Sequence, residues 1–218
     1  MSVNDIPDRL YRRRLWLLLG IGAFFLLILL GHESLRGSEG RWAEIVREML
    51  LNNNFLYPAR NGVVCFDKPL LSYLLIAGPA ILCGTLNEFL LRLPNAISGL
   101  IVLSGTVYLG RKLFNKTVGL TAGWMMLGSY AFLWFARLAE ADMSNLAAIV
   151  LALVWFVHFR HHTSFWVYLG FFLICAIGAH LKGIPAWILP PLLALPLTLE
   201  NRLFLRHIFC LTGNTLSH

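Results

Sequence analysis

The sequence predicts an all-α, polytopic membrane protein, and three observations support that prediction. Hydrophobic residues make up 58% of the chain, above the usual apolar share of a soluble domain, and the mean hydropathy is +0.69. Apolar segments recur at about the length of roughly 17–25 residues that a helix needs to cross a bilayer. Charged residues make up only 13%, and most of them lie between these segments.

The first apolar segment is expected to be an uncleaved signal anchor. It follows the basic run "RLYRRR", residues 9–14, and no small-x-small cleavage site follows its apolar core. A cleaved secretory signal is the alternative. The arginines place the N-terminus, residues 1–14, in the cytoplasm, because basic residues flank spans on that side.

The segment 70–84 decides the predicted topology. It is short and contains Gly78 and Pro79. If it lies in the interface and does not cross, the basic clusters of the chain all fall on the cytoplasmic side. We therefore predict a juxtamembrane segment 70–84, an external loop 32–88, a cytoplasmic tail 201–218, and six spans in a region 15–200: residues 15–31, 89–110, 118–136, 144–159, 165–181 and 184–199.

This topology collects acidic residues on the outer face of the membrane. Eight of the eleven Asp and Glu residues then lie outside: Glu33, Glu39, Glu44, Glu48, Asp67, Glu88, Glu140 and Asp142. The net charge of +7 does not indicate nucleic acid, because the basic residues cluster at span ends as topology determinants. The histidines and cysteines show no metal-ligand spacing, so the sequence assigns neither a metal nor a cofactor.

Much of the charge lies in "GSEGRWAEIVREML", residues 37–50. Its apolar residues recur at helical spacing, which predicts an amphipathic helix in the interface: Trp42, Ile45, Val46, Met49 and Leu50. Ser38 is the expected N-cap. From periodicity alone, the charges of this helix are a solvated face, and that interpretation stays open beside a functional one.

Six motifs, in order, resemble the polytopic lipid-linked-sugar glycosyltransferases, nearest to the bacterial aminoarabinose (lipid A) transferase-like branch and related to the protein O-mannosyltransferases. They are "GSEGRWAEIVREML", "NFLYPARNGVVCFDKPLLSYLL", "NEFLLRLPNAISGL", "GRKLF", "ARLAEADM" and "LKGIPAW". The resemblance covers about residues 10 to 200 and implies a GT-C fold. Such proteins continue with further spans and a soluble outer domain, so we expect this chain to correspond to their N-terminal part, as a truncated or inactive copy in one interpretation.

The resemblance also implies a reaction: transfer of a sugar from a polyprenyl-phosphate donor to lipid A, a glycan or a protein at the periplasmic face of the bacterial inner membrane. It implies catalytic carboxylates at Glu39 and Asp142. The substrate-binding residues that it implies are Arg41, Asp67, Lys68, Glu140 and Lys182. The chain departs from the family at Ser38, which stands where an acid is expected, and a serine without a partnered base does not replace a carboxylate.

Lys182 is a candidate site residue on its own evidence. It lies between two apolar runs, where a lysine is costly unless it snorkels or meets an anion, and both explanations stay open. At the level of the whole chain, the alternative to an enzyme is a non-catalytic membrane protein that binds a lipid-phosphate carrier or assembles with a partner transferase. A transporter is a weaker alternative, because the ionisable residues gather at one face and not at the midplane.

Overall fold

The computed structural model describes residues 6–162 and 164–200. Within them the chain is mainly helical, which confirms the predicted all-α, polytopic fold; the predicted tail 201–218 lies outside the described residues. The helices are α1 (Asp8–Leu27), α2 (Glu39–Leu51), α3 (Leu70–Cys83), α4 (Glu88–Leu113), α5 (Lys116–Leu127), α6 (Tyr130–Ala136), α7 (Asp142–Phe159), α8 (Phe165–Lys182) and α9 (Pro185–Glu200). A short hairpin joins β1 (Ala59–Arg60) to β2 (Val63–Val64).

Three of the described helices, α4, α7 and α8, are long and apolar enough to cross a membrane, and α5 with α6 makes a fourth candidate. The apolar helices α3 and α9 are shorter. The first turns of α1 carry the charged run "DRLYRRR", which shortens its apolar part. The predicted count of six spans includes α1 and α9, so that number stays a prediction.

The predicted span 118–136 is broken in the structure. α5 and α6 meet at an angle of 70°, because Ser129 takes an extended backbone conformation between them. The amide of Gly128 still donates to the Trp124 carbonyl at 2.9 Å, so α5 ends on a satisfied turn. The break lets α6 lead directly into the loop before α7.

The helix core is tight because glycines lie where helices cross. A methyl group added at Gly119 of α5 would lie 2.5 Å from the Val107 carbonyl of α4, and one added at Gly105 would lie 2.3 Å from the Val150 side chain of α7. Small residues at such positions let helix backbones approach closely. The tight contacts fix α4 and α7 against each other, and the candidate site lies at one end of this pair.

The predicted amphipathic helix is present as α2, and its apolar stripe is buried. Trp42, Ile45, Val46 and Met49 pack into one cluster with residues of α3, and the ring centroids of Trp42 and Tyr73 are 4.8 Å apart. Burial of such side chains contributes roughly 1.5–3 kcal/mol each. The stripe therefore attaches α2 to α3, which places both helices in the loop region beside the bundle.

The hairpin after α2 changes the interpretation of the charged side of that helix. Asn61 and Gly62 both have positive φ, 53° and 76°, as the turn of a tight two-residue hairpin requires. The turn brings the Gly62 amide to 3.2 Å from both carboxylate oxygens of Glu48. Glu48 is buried by this contact, so the interpretation of a simple solvated face is wrong at this residue.

Candidate functional site

A buried ion pair lies near the start of the predicted external loop. Arg92, in the second turn of α4, donates from Nε to Glu39 Oε1 and from Nη2 to Glu39 Oε2, both at 2.8 Å. The exposed fractions of the two side chains are 5% and 0%. A two-point contact of this geometry is the strongest form of an arginine–carboxylate interaction.

The remaining donors of Arg92 bind the chain that follows α1. Its Nη1 donates to the carbonyls of Leu30 and Glu33 at 2.9 Å, and its Nη2 donates to the Ser34 carbonyl at 3.1 Å. This leaves the guanidinium with a partner for each of its donors, as a buried charge requires. Arg92 therefore fixes the course of the loop between α1 and α2.

Both carboxylate oxygens of Glu39 also have hydrogen-bond partners. Its carboxylate accepts the amides of Arg36 at 2.9 Å and Ala139 at 2.8 Å, besides the two bonds from Arg92. Burial alone would raise the pKa of Glu39, but the hydrogen bonds from Arg92, Ala139 and Arg36 outweigh it and hold the pKa below its ordinary value. The carboxylate is ionised and joins three segments of the chain; we call this arrangement the Arg92–Glu39 clamp.

The clamp separates Glu39 from the other residues that the sequence singled out. Its carboxylate has no exposed surface, and both of its oxygens accept hydrogen bonds. The catalytic role of Glu39 therefore stays a prediction, and the geometry favours a role in holding the loop. Sequence reasoning did not assign Arg92, although a charged residue inside an apolar helix is a recognisable signal.

Arg41, Asp67 and Lys68, by contrast, meet at the surface. Arg41 Nη1 lies 2.9 Å from Asp67 Oδ2, and Lys68 Nζ lies 3.1 Å from Asp67 Oδ1. The side chains are 30–40% exposed. The hydrogen bond and charge of Lys68, with the charge of Arg41, hold the pKa of Asp67 below its usual range. One carboxylate thus faces two cations, and the group keeps a net positive charge toward solvent.

Lys182 and Asp142 form a second ion pair, between the end of α8 and the start of α7. Each side chain is about one-third exposed. Asp142 follows Glu140 by two positions, and Glu140 contacts Ser38, which precedes Arg41 by three positions, so the two pairs are neighbours. The structure brings six of the seven predicted site residues into one region, and Glu39 lies beneath it. We call the six the charged face: Arg41, Asp67, Lys68, Glu140, Asp142 and Lys182.

Ser38 does not cap α2 as expected. It occupies the N-cap position with φ −78° and ψ −12°, a helical conformation, and its side chain makes no capping bond. Its hydroxyl donates instead to Glu140 Oε1, across 102 positions of the sequence. This contact joins the start of α2 to the loop before α7, and it supplies the partnered carboxylate that the sequence did not reveal.

A buried amide positions that loop. Asn95, in α4, donates from Nδ2 to the Leu138 carbonyl at 2.5 Å and to the Glu140 carbonyl. Its Oδ1 accepts the Ser144 hydroxyl at 2.7 Å, and Ser144 in turn lies 3.2 Å from the Ser98 hydroxyl. Asn95 is nearly inaccessible to solvent. It therefore sets the backbone position of Glu140, a role that sequence reasoning missed.

An apolar groove lies next to the charged face. Its volume is about 490 Å³, and Asp142 contributes to its wall. The other lining residues are Met126, Ser129, Ala131, Phe132, Phe135, Met143 and Leu146. The break between α5 and α6 forms one side of it. A molecule that is apolar along its length and anionic at one end fits this combination of surfaces.

Metal ligands are not gathered in the described part of the chain. Among residues 6–162 and 164–200, no three His, Cys, Asp or Glu side chains lie close enough to hold a metal ion together. The arrangement that is present instead is one of paired charges, cationic toward solvent at Arg41 and Lys68. Such groups bind anions, and phosphate oxygens in particular.

Comparison with known proteins points to one group of enzymes. Residues 67–217 match the family model of dolichyl-phosphate-mannose-protein mannosyltransferase. Among curated proteins, undecaprenyl phosphate-alpha-4-amino-4-deoxy-L-arabinose arabinosyl transferase 1 of Pseudomonas fluorescens strain Pf-5 is 34% identical over 187 residues, which are 83% of this chain and 34% of that protein. The corresponding transferase of Pseudomonas aeruginosa strain UCBPP-PA14 is 28% identical over 88% of this chain and 36% of its own length.

Solved structures share the fold. The apo crystal structure of ArnT from Cupriavidus metallidurans superposes with a TM-score of 0.74 at 23% identity, over 88% of this chain and 36% of that one. The crystal structure of the same protein bound to undecaprenyl phosphate gives a TM-score of 0.73 at 24% identity, over 86% of this chain and 36% of that one. This chain thus spans about a third of the length of the proteins that it matches.

Proposed function

Because the chain belongs to the dolichyl-phosphate-mannose-protein mannosyltransferase family, we propose that it forms part of a membrane glycosyltransferase. The proposed reaction moves a sugar from an undecaprenyl-phosphate donor to an envelope acceptor, which is lipid A, a glycan or a protein. The observation that carries the proposal is the charged face, where cations and carboxylates from four separate parts of the chain meet beside an apolar groove.

The cations of the charged face suit the leaving group of this reaction. As the bond between sugar and phosphate breaks, negative charge builds up on the lipid phosphate, and fixed cations stabilise it. Lys68 and Lys182 both belong to the charged face, and an anion bound between two such cations would relieve their mutual repulsion. We assign Lys68 and Lys182 to the phosphate, and Arg41 with Asp67 to holding Lys68 in place.

The apolar groove suits the lipid part of the donor. Its walls carry Phe132, Phe135 and Leu146, and Asp142 places its polar end at the charged face. A volume of about 490 Å³ accommodates the first isoprene units of a polyprenyl chain, while the rest of the chain extends into the bilayer. The donor would then bind with its phosphate at Lys182 and its lipid along α6 and α7.

A carboxylate must accept the proton that the attacking hydroxyl loses. Glu140 and Asp142 both lie in the charged face, whereas Glu39 is held beneath it by Arg92. The geometry supports proton transfer on the side of residues 140–142, and Asp142 is already engaged with Lys182. The role of proton acceptor, which the resemblance implied for Glu39, is thus better supported for Glu140 or Asp142.

We propose that the chain lies in the bacterial inner membrane with the charged face in the periplasm. The opposite end of the bundle is basic: Lys116 Nζ lies 3.2 Å from Asp8 Oδ1, and the Arg111 guanidinium lies 5.0 Å from the centre of the Tyr11 ring. These contacts gather the start of α1 and the junction of α4 and α5 at one end, and basic span ends face the cytoplasm. The N-terminus is then cytoplasmic.

One observation favours a second function, that of a non-catalytic protein that binds the lipid phosphate or assembles with a partner transferase. Ser38 stands where relatives of this type are expected to carry an acid. This alternative keeps the cations and the groove but predicts binding without turnover.

Transfer and binding assays on the same preparation separate the two functions. The full-length protein is reconstituted in vesicles with an undecaprenyl-phosphate-linked aminoarabinose donor and lipid A, and product is followed by mass spectrometry beside the binding of undecaprenyl phosphate. The proposed function predicts both binding and sugar transfer, each weakened in Lys68→Ala. Binding with no transfer to lipid A, glycan or protein acceptors would leave only the non-catalytic function.

A further inference from the structure

We infer that Ser38 and Glu140 form a two-residue proton acceptor, in which the Ser38 hydroxyl passes the proton of the acceptor to the Glu140 carboxylate. The inference rests on the proposed transfer reaction. It starts from one contact: the Ser38 hydroxyl donates to Glu140 Oε1. Ser38 is exposed and Glu140 is half-buried, so a substrate that arrives from solvent meets the hydroxyl first.

A serine hydroxyl alone is a poor base, but a hydroxyl bonded to a carboxylate is a usable relay. The same pairing of hydroxyl and base activates serine in many enzymes. In this structure the carboxylate accepts a hydrogen bond directly from the serine hydroxyl, so each proton would move along a single hydrogen bond. The relay places a carboxylate behind position 38 and restores there the chemistry that an aspartate or glutamate would supply.

The structure holds Glu140 in position for this role. The Asn95 amide donates to its carbonyl and to that of Leu138, and Ser144 fixes the orientation of Asn95 from the other side. Lys182 is paired with Asp142, two positions after Glu140. Proton acceptor and phosphate-binding cation therefore flank one space, as transfer between a lipid phosphate and a hydroxyl requires.

The step balances without a further reactant. The oxygen of the acceptor hydroxyl bonds to the anomeric carbon of the sugar while the bond from that carbon to the phosphate oxygen breaks. The acceptor proton moves to Ser38 Oγ as the Ser38 proton moves to Glu140. Undecaprenyl phosphate leaves with the electron pair of the broken bond, and Glu140 later gives its proton to water.

Five variants of the full-length protein test the relay in the vesicle assay: Ser38→Ala, Ser38→Thr, Ser38→Asp, Glu140→Gln and the double variant Ser38→Ala/Glu140→Gln. We expect Ser38→Ala and Glu140→Gln each to lower kcat by about 100- to 10,000-fold, the usual contribution of a general base, with the KM for the donor little changed. The double variant should be no slower than either single one, since the two residues act as a unit. Ser38→Thr keeps the hydroxyl and should retain most of the rate.

A proton inventory in mixtures of H₂O and D₂O separates a relay from a structural role for Ser38. Two protons in flight give a curved dependence of rate on deuterium content in the wild type, and a single proton gives a straight line in Ser38→Asp. Ser104→Ala serves as the matched control, because the Ser104 hydroxyl bonds the Ile101 carbonyl of its own helix at 3.0 Å. Its rate and its inventory should equal those of the wild type.

Three results would overturn the relay while leaving the proposed function standing: wild-type turnover in Ser38→Ala, losses that multiply in the double variant, or a sugar bound covalently to Ser38, which would make that hydroxyl the nucleophile. Failure of the wild type to transfer sugar to any acceptor, with lipid binding intact, would instead refute the proposed function and the relay together.

Discussion

Two arginine–carboxylate pairs begin within three residues of each other at the start of α2, and they have opposite surroundings. Glu39 faces inward to Arg92, and neither side chain is more than 5% exposed. Arg41 faces outward to Asp67, and both side chains are more than one-third exposed. The inner pair has a partner at each donor and each carboxylate oxygen, so it can only hold the fold. The outer pair keeps solvent-facing donors, so it can bind a ligand.

The difference is one of desolvation. A charge removed from water is tolerated only when protein groups replace its hydration, and loss of one partner of a buried pair then costs about 3–5 kcal/mol. An exposed pair keeps most of its hydration and contributes little to stability. Two pairs of the same residue types, each with one member in the first turn of α2, therefore serve architecture in one direction and recognition in the other.

The largest effect should come from breaking the inner pair. Arg92→Met leaves the Glu39 carboxylate buried without its main partner, and we expect a loss of about 3–5 kcal/mol in the free energy of unfolding. Thermal unfolding of the detergent-solubilised full-length protein measures it. The double variant Arg92→Met/Glu39→Met is the control and should recover part of the loss. Equal stability of Arg92→Met and the wild type would show that the clamp does not hold the loop.

A substitution at Lys68, beside the outer pair, should change binding and leave the fold intact. Lys68→Met removes a charge-assisted hydrogen bond to phosphate, worth roughly 1.5–3 kcal/mol, which corresponds to about a 10- to 100-fold weaker Kd for undecaprenyl phosphate. The thermal midpoint should stay close to that of the wild type. A large fall in the midpoint, with no separate change in the Kd, would place Lys68 among the structural residues.

Acid should weaken the contributions of both Glu39 and Asp67 to the stability of the fold. The pKa of Glu39 and that of Asp67 both lie below their ordinary values in the folded protein. Each carboxylate therefore stabilises the fold fully above its unfolded pKa, about 4.3 for Glu and 3.9 for Asp, and the contribution is lost as the pH falls through the folded pKa. The midpoint difference between the wild type and Glu39→Gln should hold above about pH 5 and narrow below about pH 4.3.

The amplitude of the acid response should differ between Glu39 and Asp67. Asp67→Asn should show the same narrowing with a smaller amplitude, because Asp67 remains in contact with water. Thermal midpoints collected over a pH series check both variants. A difference between the wild type and Glu39→Gln that grew on acidification would mean that the folded protein holds Glu39 protonated, and the clamp would then be wrongly described.

The smallest effect is expected at the exposed pair in the middle of α2. Arg47 contacts Glu44 one turn earlier, at 2.7 Å and 2.9 Å, with half of its side chain exposed. Arg47→Gln should leave both the thermal midpoint and the binding of undecaprenyl phosphate unchanged within error. Comparable losses in this variant and in Lys68→Met would show that binding follows general surface charge and not the charged face.

Local features of the fold could be predicted from the sequence because they depend on neighbours in the chain. The apolar stripe of α2 follows from helical spacing, and the structure packs Trp42 and Ile45 of that stripe against α3. The turn at Asn61 and Gly62 follows from residues that tolerate positive φ. The break at Ser129 was not predicted, since Gly128 and Ser129 are small enough to continue an apolar helix and do not by themselves require a bend.

The partners of the site residues could not be predicted, because they come from distant parts of the chain. Glu39 and Arg92 are 53 residues apart, and Ser38 and Glu140 are 102 apart. Periodicity places Glu48 on the polar side of α2 with Arg41 and Glu44, whereas the structure buries it. Arg92 and Asn95 could have been singled out as polar residues inside an apolar span, although their partners could not.

The most direct test of the contrast between the two pairs is photolabelling of the full-length protein in membranes, with undecaprenyl phosphate that carries a photoreactive group beside the phosphate. Labelled peptides should contain Lys68 and Lys182, and labelling should fall in Lys68→Met and persist in Arg47→Gln. Labelling confined to the peptide that contains Arg92, or labelling that Lys68→Met leaves unchanged, would contradict the assignment of Lys68 and Lys182 to the lipid phosphate.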